Sequence, residues 1–345
     1  MQTSFSHSNS TRDNNIELLR LVLMFLIVLE HVVGHGCGIV ETMVQYPDEP
    51  IHLSTEHLLL YVPAVMSVNC FVFISGYYKI KFRFKGILNF YMQALSVAII
   101  LFLVNYFSSF NFSLSLLVKS IFPLSSNYWW FLSTYMFLYL VSPFLNMICD
   151  TLSYKQFSMF IFLFFTFNCL GGYIWGTFNA NNGYSILNFM FLYLLAIYMR
   201  KYNIIALIKR PLLLWYIFSS ILVIMCLFLQ QYGGKYIVKL LGYNNPFVIF
   251  LAILFFCVFS RINVSANVCK FSNLTLGIYL FHDNNVIRPM IESIVGTYKF
   301  SIWGLVLFAL SIYILSAILE LLRKESYRLL SVDLWIEKIS KKIWE

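Results

Sequence analysis

The stretch IELLRLVLMFLIVLEHVVGHG, residues 16–36, decides how the rest of this chain is read. Coiled into an α-helix at ~1.5 Å per residue it is about 31 Å long, the thickness of a bilayer's hydrocarbon core. Backbone polar groups inside lipid must be satisfied within their own segment, which predicts a helix and not a strand. The run also carries Glu17, Arg20, Glu30 and His31, with His35 one turn further on. Ionisable groups are costly at membrane depth and mark a functional path.

Working outward, further apolar runs follow at 58–78, 88–107, 128–148, 156–175, 184–199, 212–229, 246–260, 274–294 and 302–322. The reading is an all-α polytopic membrane protein with about ten transmembrane helices. The ninth run is interrupted between His282 and Arg288, where a bend or an early end is expected. Barrel strands would alternate apolar and polar residues over about ten positions, and runs such as 212–229 do not. Composition agrees: 60% of residues are hydrophobic and 11% charged, against ~25% charged in an ordinary soluble domain.

Net charge is +9. In a soluble protein that balance invites nucleic acid; here it points to Lys- and Arg-rich cytoplasmic loops, and no nucleic-acid partner is expected. With the N-terminus placed inside, eighteen of the 24 Lys and Arg fall in cytoplasmic segments and five outside, Arg20 being the one within the first span. The asymmetry predicts both termini in the cytoplasm and an even number of spans. Residues 1–15 form a polar N-terminal segment with no cleaved signal expected, 16–322 the transmembrane domain, and 323–345 a basic amphipathic tail. In that tail Val332, Ile336, Ile339 and Ile343 share a stripe away from Lys338, Lys341 and Lys342. The pattern fits a helix lying on the inner leaflet, or a simple topology anchor. Seven scattered cysteines form no CxxC pair, so neither a disulfide framework nor a zinc site is expected.

Arg20 and His31 are eleven residues apart. Eleven steps of ~100° return to within ~20° of one face, with a rise of ~16 Å. Both side chains therefore project from one line on the helix, Arg20 near the cytoplasmic surface and His31 in the outer half. Glu17 is one turn from Arg20 and close enough to orient it. Arginine is permanently charged and forks onto phosphate. A neutral histidine takes a proton from a hydroxyl as that hydroxyl attacks a thioester.

Four segments in order carry a resemblance. They are Arg20 with His31 after ten intervening residues; Cys70-Phe71-Val72-Phe73-Ile74-Ser75-Gly76-Tyr77, followed by Lys79, Lys81, Arg83 and Lys85; Trp129-Trp130-Phe131-Leu132, with Tyr139 and Pro143 downstream; and Gly277-Ile278-Tyr279-Leu280-Phe281-His282. The set resembles the acyltransferase-3 family of integral membrane acyltransferases, which includes bacterial polysaccharide O-acetyltransferases. Two details depart from the family pattern. Tyr77 stands where the family's Phe-rich run ends in Phe, and the basic residues after it are more loosely spaced than its usual Arg cluster.

The resemblance implies a bacterial cell-membrane, multi-pass enzyme. It would transfer an acyl group, usually acetyl, from acetyl-CoA or another acyl-CoA to a hydroxyl of a cell-surface glycan or its lipid-linked precursor. By position His31 would be the base, and Arg20 would hold the donor or support the site. No metal is implied, and the oligomeric state is left open.

The remaining candidates have plainer readings beside the functional one. Glu30 lies ~100° from His31 and either orients it or pairs with a neighbouring helix. His35 is i+4 from His31, a metal-ligand spacing, but no third ligand is evident in sequence. Ser75 reads as site-lining, since no base stands beside it; Ser75-Gly76 also reads as a close-packing pair. Lys79, Lys81 and Arg83 read first as positive-inside charges and second as a steering patch for CoA phosphates. Trp130 reads as an interface-belt aromatic or a ring for sugar or adenine. His282 and Asp283 mark the polar break, catalytic or helix-stabilising. A transporter or flippase of glycan intermediates also predicts many helices and buried charges, but it favours paired repeats, and none is visible.

Overall fold

The computed structural model describes residues 13–344 apart from 111, 178, 179 and 267, so Arg12 and most of the polar 1–15 segment lie outside the described residues. It is helical throughout, with no strand among those residues. The longer helices are α1 (Asn14–Gly34), α2 (Thr55–Ala64), α3 (Ser67–Tyr77), α4 (Phe84–Ser109), α5 (Trp130–Thr151), α6 (Tyr154–Phe165), α7 (Ile186–Lys201), α8 (Pro211–Leu229), α9 (Pro246–Phe259), α10 (Thr275–His282), α11 (Arg288–Tyr298), α12 (Ile302–Leu329) and α13 (Val332–Trp344).

Each of the ten apolar runs falls largely on helix, but among the described residues six helical stretches are long and apolar enough to cross a bilayer: Thr55–Tyr77, Phe84–Ser109, Trp130–Thr151, Tyr154–Trp175, Pro211–Tyr232 and Ile302–Leu329. The other four depart for physical reasons. α1 has the length, but Glu17, Arg20 and Glu30 break its apolarity. α7 and α9 have 16 and 14 residues, short of the ~20 that a straight crossing takes.

The run at 274–294 is two helices. α10 stops at His282 and α11 restarts at Arg288, with Pro289 in its first turn. Asn284 closes both ends. Its Nδ2 donates to the carbonyls of Leu280 and Phe281 at 3.2 and 2.9 Å, and its Oδ1 accepts from the amides of Val286 and Ile287 at 3.0 and 2.9 Å. Backbone groups freed by the break are thus satisfied by one side chain, which makes an interruption inside an apolar bundle affordable.

α1 is the axis of the bundle. It packs against α2, α3, α10 and α12, and Leu19, Leu23, Val28, Val32 and Val33 have no exposed surface. α3 is locked to α7 through Gly76, where an added Cβ would meet Tyr193 Cα at 2.8 Å. Small residues let helix backbones approach this closely. A buried amide chain ties the same helices further: Asn168 donates to Asn188 at 3.0 Å, Asn188 of α7 donates to Asn69 of α3 at 3.4 Å, and Asn69 donates to the carbonyl of Tyr243 at 2.7 Å. α12 runs through position 323 without a break, so the basic tail begins as its last turns. α13 then folds back on α4, burying Ile336, with Lys85 Nζ 3.3 Å from Glu337 Oε2.

Candidate active site

Arg20, Met24, Ile27 and His31 follow one another at helical spacing along α1, and all four line a single narrow cavity of about 120 Å³. Its wall also includes Phe71 and Ser75 of α3, Phe90 of α4, Trp130 and Tyr135 of α5, Tyr243, Tyr279 of α10 and Asp283. The two polar ends of the α1 stripe therefore line one cavity, with an apolar middle of Met24 and Ile27.

At one end Arg20 Nε lies 3.8 Å from Glu17 Oε1, an ion pair too long to be a hydrogen bond. Glu17 is buried and takes a hydrogen bond from the Ser272 hydroxyl. The carboxylate is anchored to the short helical turn Cys269–Ser272 before α10, while Arg20 lines the cavity.

At the other end His31 Nδ1 is 3.0 Å from His282 Nε2. His282 Nδ1 is 2.7 Å from the carbonyl oxygen of Ile278. A carbonyl only accepts, so His282 carries its proton on Nδ1 and its Nε2 must accept. His31 then donates from Nδ1, which leaves His31 Nε2 with its lone pair free. Asp283 Oδ1 stands 3.9 Å from His31 Nδ1 and is held by Arg288 Nη2 at 2.5 Å. An imidazolium formed at His31 would meet a fixed carboxylate, itself balanced by a cation.

Ser75 is committed elsewhere. Its hydroxyl donates to the Phe71 carbonyl at 3.0 Å, and Tyr135 OH lies 2.9 Å away as the remaining donor. That pairing suits a wall residue and supplies no base for a nucleophile. Trp130 stacks on Tyr243 with centroids 5.8 Å apart and lies 4.6 Å from Tyr184. Glu30 is buried with Oε2 unpaired among the described residues. It sits off the cavity wall, near enough to Tyr61, Tyr184 and Tyr243 to interact with them electrostatically.

Lys79, Lys81 and Arg83 do not line the cavity. Lys79 pairs with Asp150 at 2.5 Å, Lys81 is exposed, and the Arg83 backbone exchanges hydrogen bonds with Tyr139 OH. His35 turns to Glu41 Oε1 at 2.8 Å, with Glu292 close by.

Sequence reasoning put Arg20, His31, Ser75 and Trp130 on the list, and all four line this cavity. It listed His282, which lies behind His31. Tyr279 stood in the 277–282 segment that carries the resemblance but was given no role, and Tyr135, Tyr243 and Arg288 were passed over. Of these three only Arg288 left a signal, as the last member of the polar interruption that begins at His282.

A family model described as an acyltransferase domain, Acyl_transf_3, matches residues 13–322. No curated protein and no solved structure matches the chain. The matched range contains every wall of the cavity, and the chain belongs to the acyltransferase-3 family.

Proposed function

We propose that this protein is a multi-pass membrane O-acyltransferase that moves an acyl group, of acetyl size, from acyl-CoA to a hydroxyl of a cell-surface glycan or its lipid-linked precursor. The observation that carries the reading is the cavity joining Arg20 to His31. Family membership supports acyl transfer; Arg20 suits an anionic donor and His31 a hydroxyl acceptor, and acyl-CoA and a glycan are the donor and acceptor that the resemblance to the family implies. Ten crossings with both termini cytoplasmic accord with the distribution of Lys and Arg, and they put Arg20 on the side where acyl-CoA is available.

Arg20 holds an anionic part of the donor. The apolar middle of the cavity takes the acyl-thioester arm. His31 Nε2 accepts the proton of the acceptor hydroxyl while its oxygen attacks the thioester carbonyl. The carbon–sulfur bond then breaks, and the thiolate takes the proton from His31 to leave as CoA thiol. By accepting from His31 Nδ1, His282 leaves Nε2 as the nitrogen that takes up and returns the proton, and Asp283 offsets the transient imidazolium.

The test is transfer of radiolabelled acetyl from acetyl-CoA to membrane glycan by the purified protein. Label should appear in an alkali-labile ester and be lost in His31→Gln. Transfer by His31→Gln at the wild-type rate would overturn the mechanism. A glycan that crosses the bilayer without acquiring label would favour a carrier.

A further inference from the structure

A second hollow lies between the C-terminal ends of α3, α5 and α7. It is lined by Tyr77, Lys79, Asp150, Ile197, Arg200 and Lys201 and shares no wall residue with the Arg20–His31 cavity. Three cations here face one carboxylate. Lys79, in a left-handed backbone conformation at φ +54° that few non-glycine residues adopt, reaches Asp150 Oδ1 at 2.5 Å.

The other two cations are fixed by neutral groups. Arg200 Nη1 donates to the Tyr77 carbonyl at 2.6 Å, and its guanidinium carbon is 5.2 and 5.4 Å from the ring centroids of Tyr77 and Tyr78. Lys201 Nζ donates to the carbonyls of Cys149 and Leu152 at 2.7 and 3.2 Å, where the end of α5 favours positive charge. Asp13, just before α1, accepts from Tyr78 OH at 2.6 Å. Arg200 and Lys201 are thus held in place, but no carboxylate among the described residues pairs with them.

Beside the hollow, α5 turns Phe144, Met147 and Ile148 outward, 64, 60 and 38% exposed. Met147 is three residues from Asp150 and so lies on the adjoining helical surface. A ligand that fits must carry an anionic group for the cations and an apolar chain for α5.

We propose that this hollow seats the phosphate of an anionic phospholipid, with its acyl chain along Phe144 and Met147. Phosphate is what a basic pocket between transmembrane helix ends is built to hold. A soluble nucleotide phosphate would satisfy the same cations but would leave the apolar face uncovered. The site is independent of the acyl-transfer reading.

The experiment titrates the melting temperature of the purified full-length protein in neutral detergent, with short-chain phosphatidylglycerol and with phosphatidylcholine of the same chain length. Phosphatidylglycerol is expected to bind more tightly. The double variant Arg200→Gln, Lys201→Gln should weaken it about 25-fold, at roughly fivefold per cation, and leave phosphatidylcholine unchanged. Asp150→Asn removes the competing carboxylate and should tighten phosphatidylglycerol by about fivefold, a gain that misfolding cannot produce. Equal binding of the two lipids, or phosphatidylglycerol affinity unmoved by either variant, would overturn the proposal. So would protection by CoA that is lost in the double variant while lipid binding persists, since the occupant would then be a nucleotide.

Discussion

His31 and His282, 251 residues apart in the chain, meet with Nδ1 and Nε2 separated by 3.0 Å. Because His282 gives its own proton to the Ile278 carbonyl, the contact has a direction: His282 accepts and His31 donates. The base is thereby presented as one tautomer with its free nitrogen defined.

His282→Leu should therefore cost activity without removing the base. His31 would lose its acceptor and rotate or change tautomer, and kcat is expected to fall about 100-fold, the lower range for loss of general-base function. KM for acetyl-CoA should stay within about twofold, because Arg20 is untouched. His282→Gln, whose side-chain oxygen can still accept from His31 Nδ1, should recover part of the rate. Equal activity in the two variants would show that His282 only fills space.

Arg20→Gln tests the opposite end of the cavity. The guanidinium has no hydrogen bond to Glu17, and Glu17 keeps the hydroxyl of Ser272 when the cation is removed. The substitution should raise KM for acetyl-CoA about 10- to 100-fold, the value of a charge-assisted hydrogen bond of roughly 1.5–3 kcal/mol. KM for the acceptor should not move. Steady-state kinetics with each substrate varied separately read the split.

Both ends of the cavity were legible because each is a charge or an imidazole on an otherwise apolar helix, and helical spacing alone aligns Arg20 with His31. The walls between them were not. Tyr135 and Tyr243 are two of 23 tyrosines, and a tyrosine facing a cavity looks like one facing a neighbouring helix until the packing is known. The fold shows the same division. Long runs such as 88–107 and 302–322 are helices in place. The interruption at 282–288 was visible as polarity, but the double cap that makes it a clean break depends on where Asn284 points, which no periodicity encodes. Lys79 was grouped with Lys81 and Arg83 by proximity in sequence, whereas the chain turns at Lys79 and gives it to Asp150 instead.

Gly76 carries a stability prediction. A methyl there would be 2.8 Å from Tyr193 Cα and 2.9 Å from Ala196 Cβ, and a backbone atom cannot swing aside as a side-chain end can. Gly76→Ala must part α3 from α7, at a cost of about 1–3 kcal/mol for overpacking. A lowered melting temperature in detergent is expected. Gly296→Ala, where an added Cβ meets nothing within 4 Å, serves as the matched control. A Gly76→Ala protein as stable as that control would mean the helices slide apart freely.

Glu320 and Arg323 supply the sharpest stability test. Arg323 Nε and Nη2 reach the two Glu320 oxygens at 2.7 and 2.8 Å, and Gln93 Nε2 of α4 adds a third donor at 3.1 Å. Glu320 is fully buried, and α10 presents Gly277 to it because any Cβ would occupy the carboxylate's space. Glu320→Ala leaves Arg323 charged and buried without its partner, a change costing about 3–5 kcal/mol. Replacing both residues by leucine removes the stranded charge along with the pair, and a buried ion pair exchanged for apolar groups of similar volume is often neutral. The double variant should accordingly melt above the single one. If Glu320→Ala melts with the wild type, the cation has found water, and α12 cannot be packed against α10 as closely as Gly277 requires.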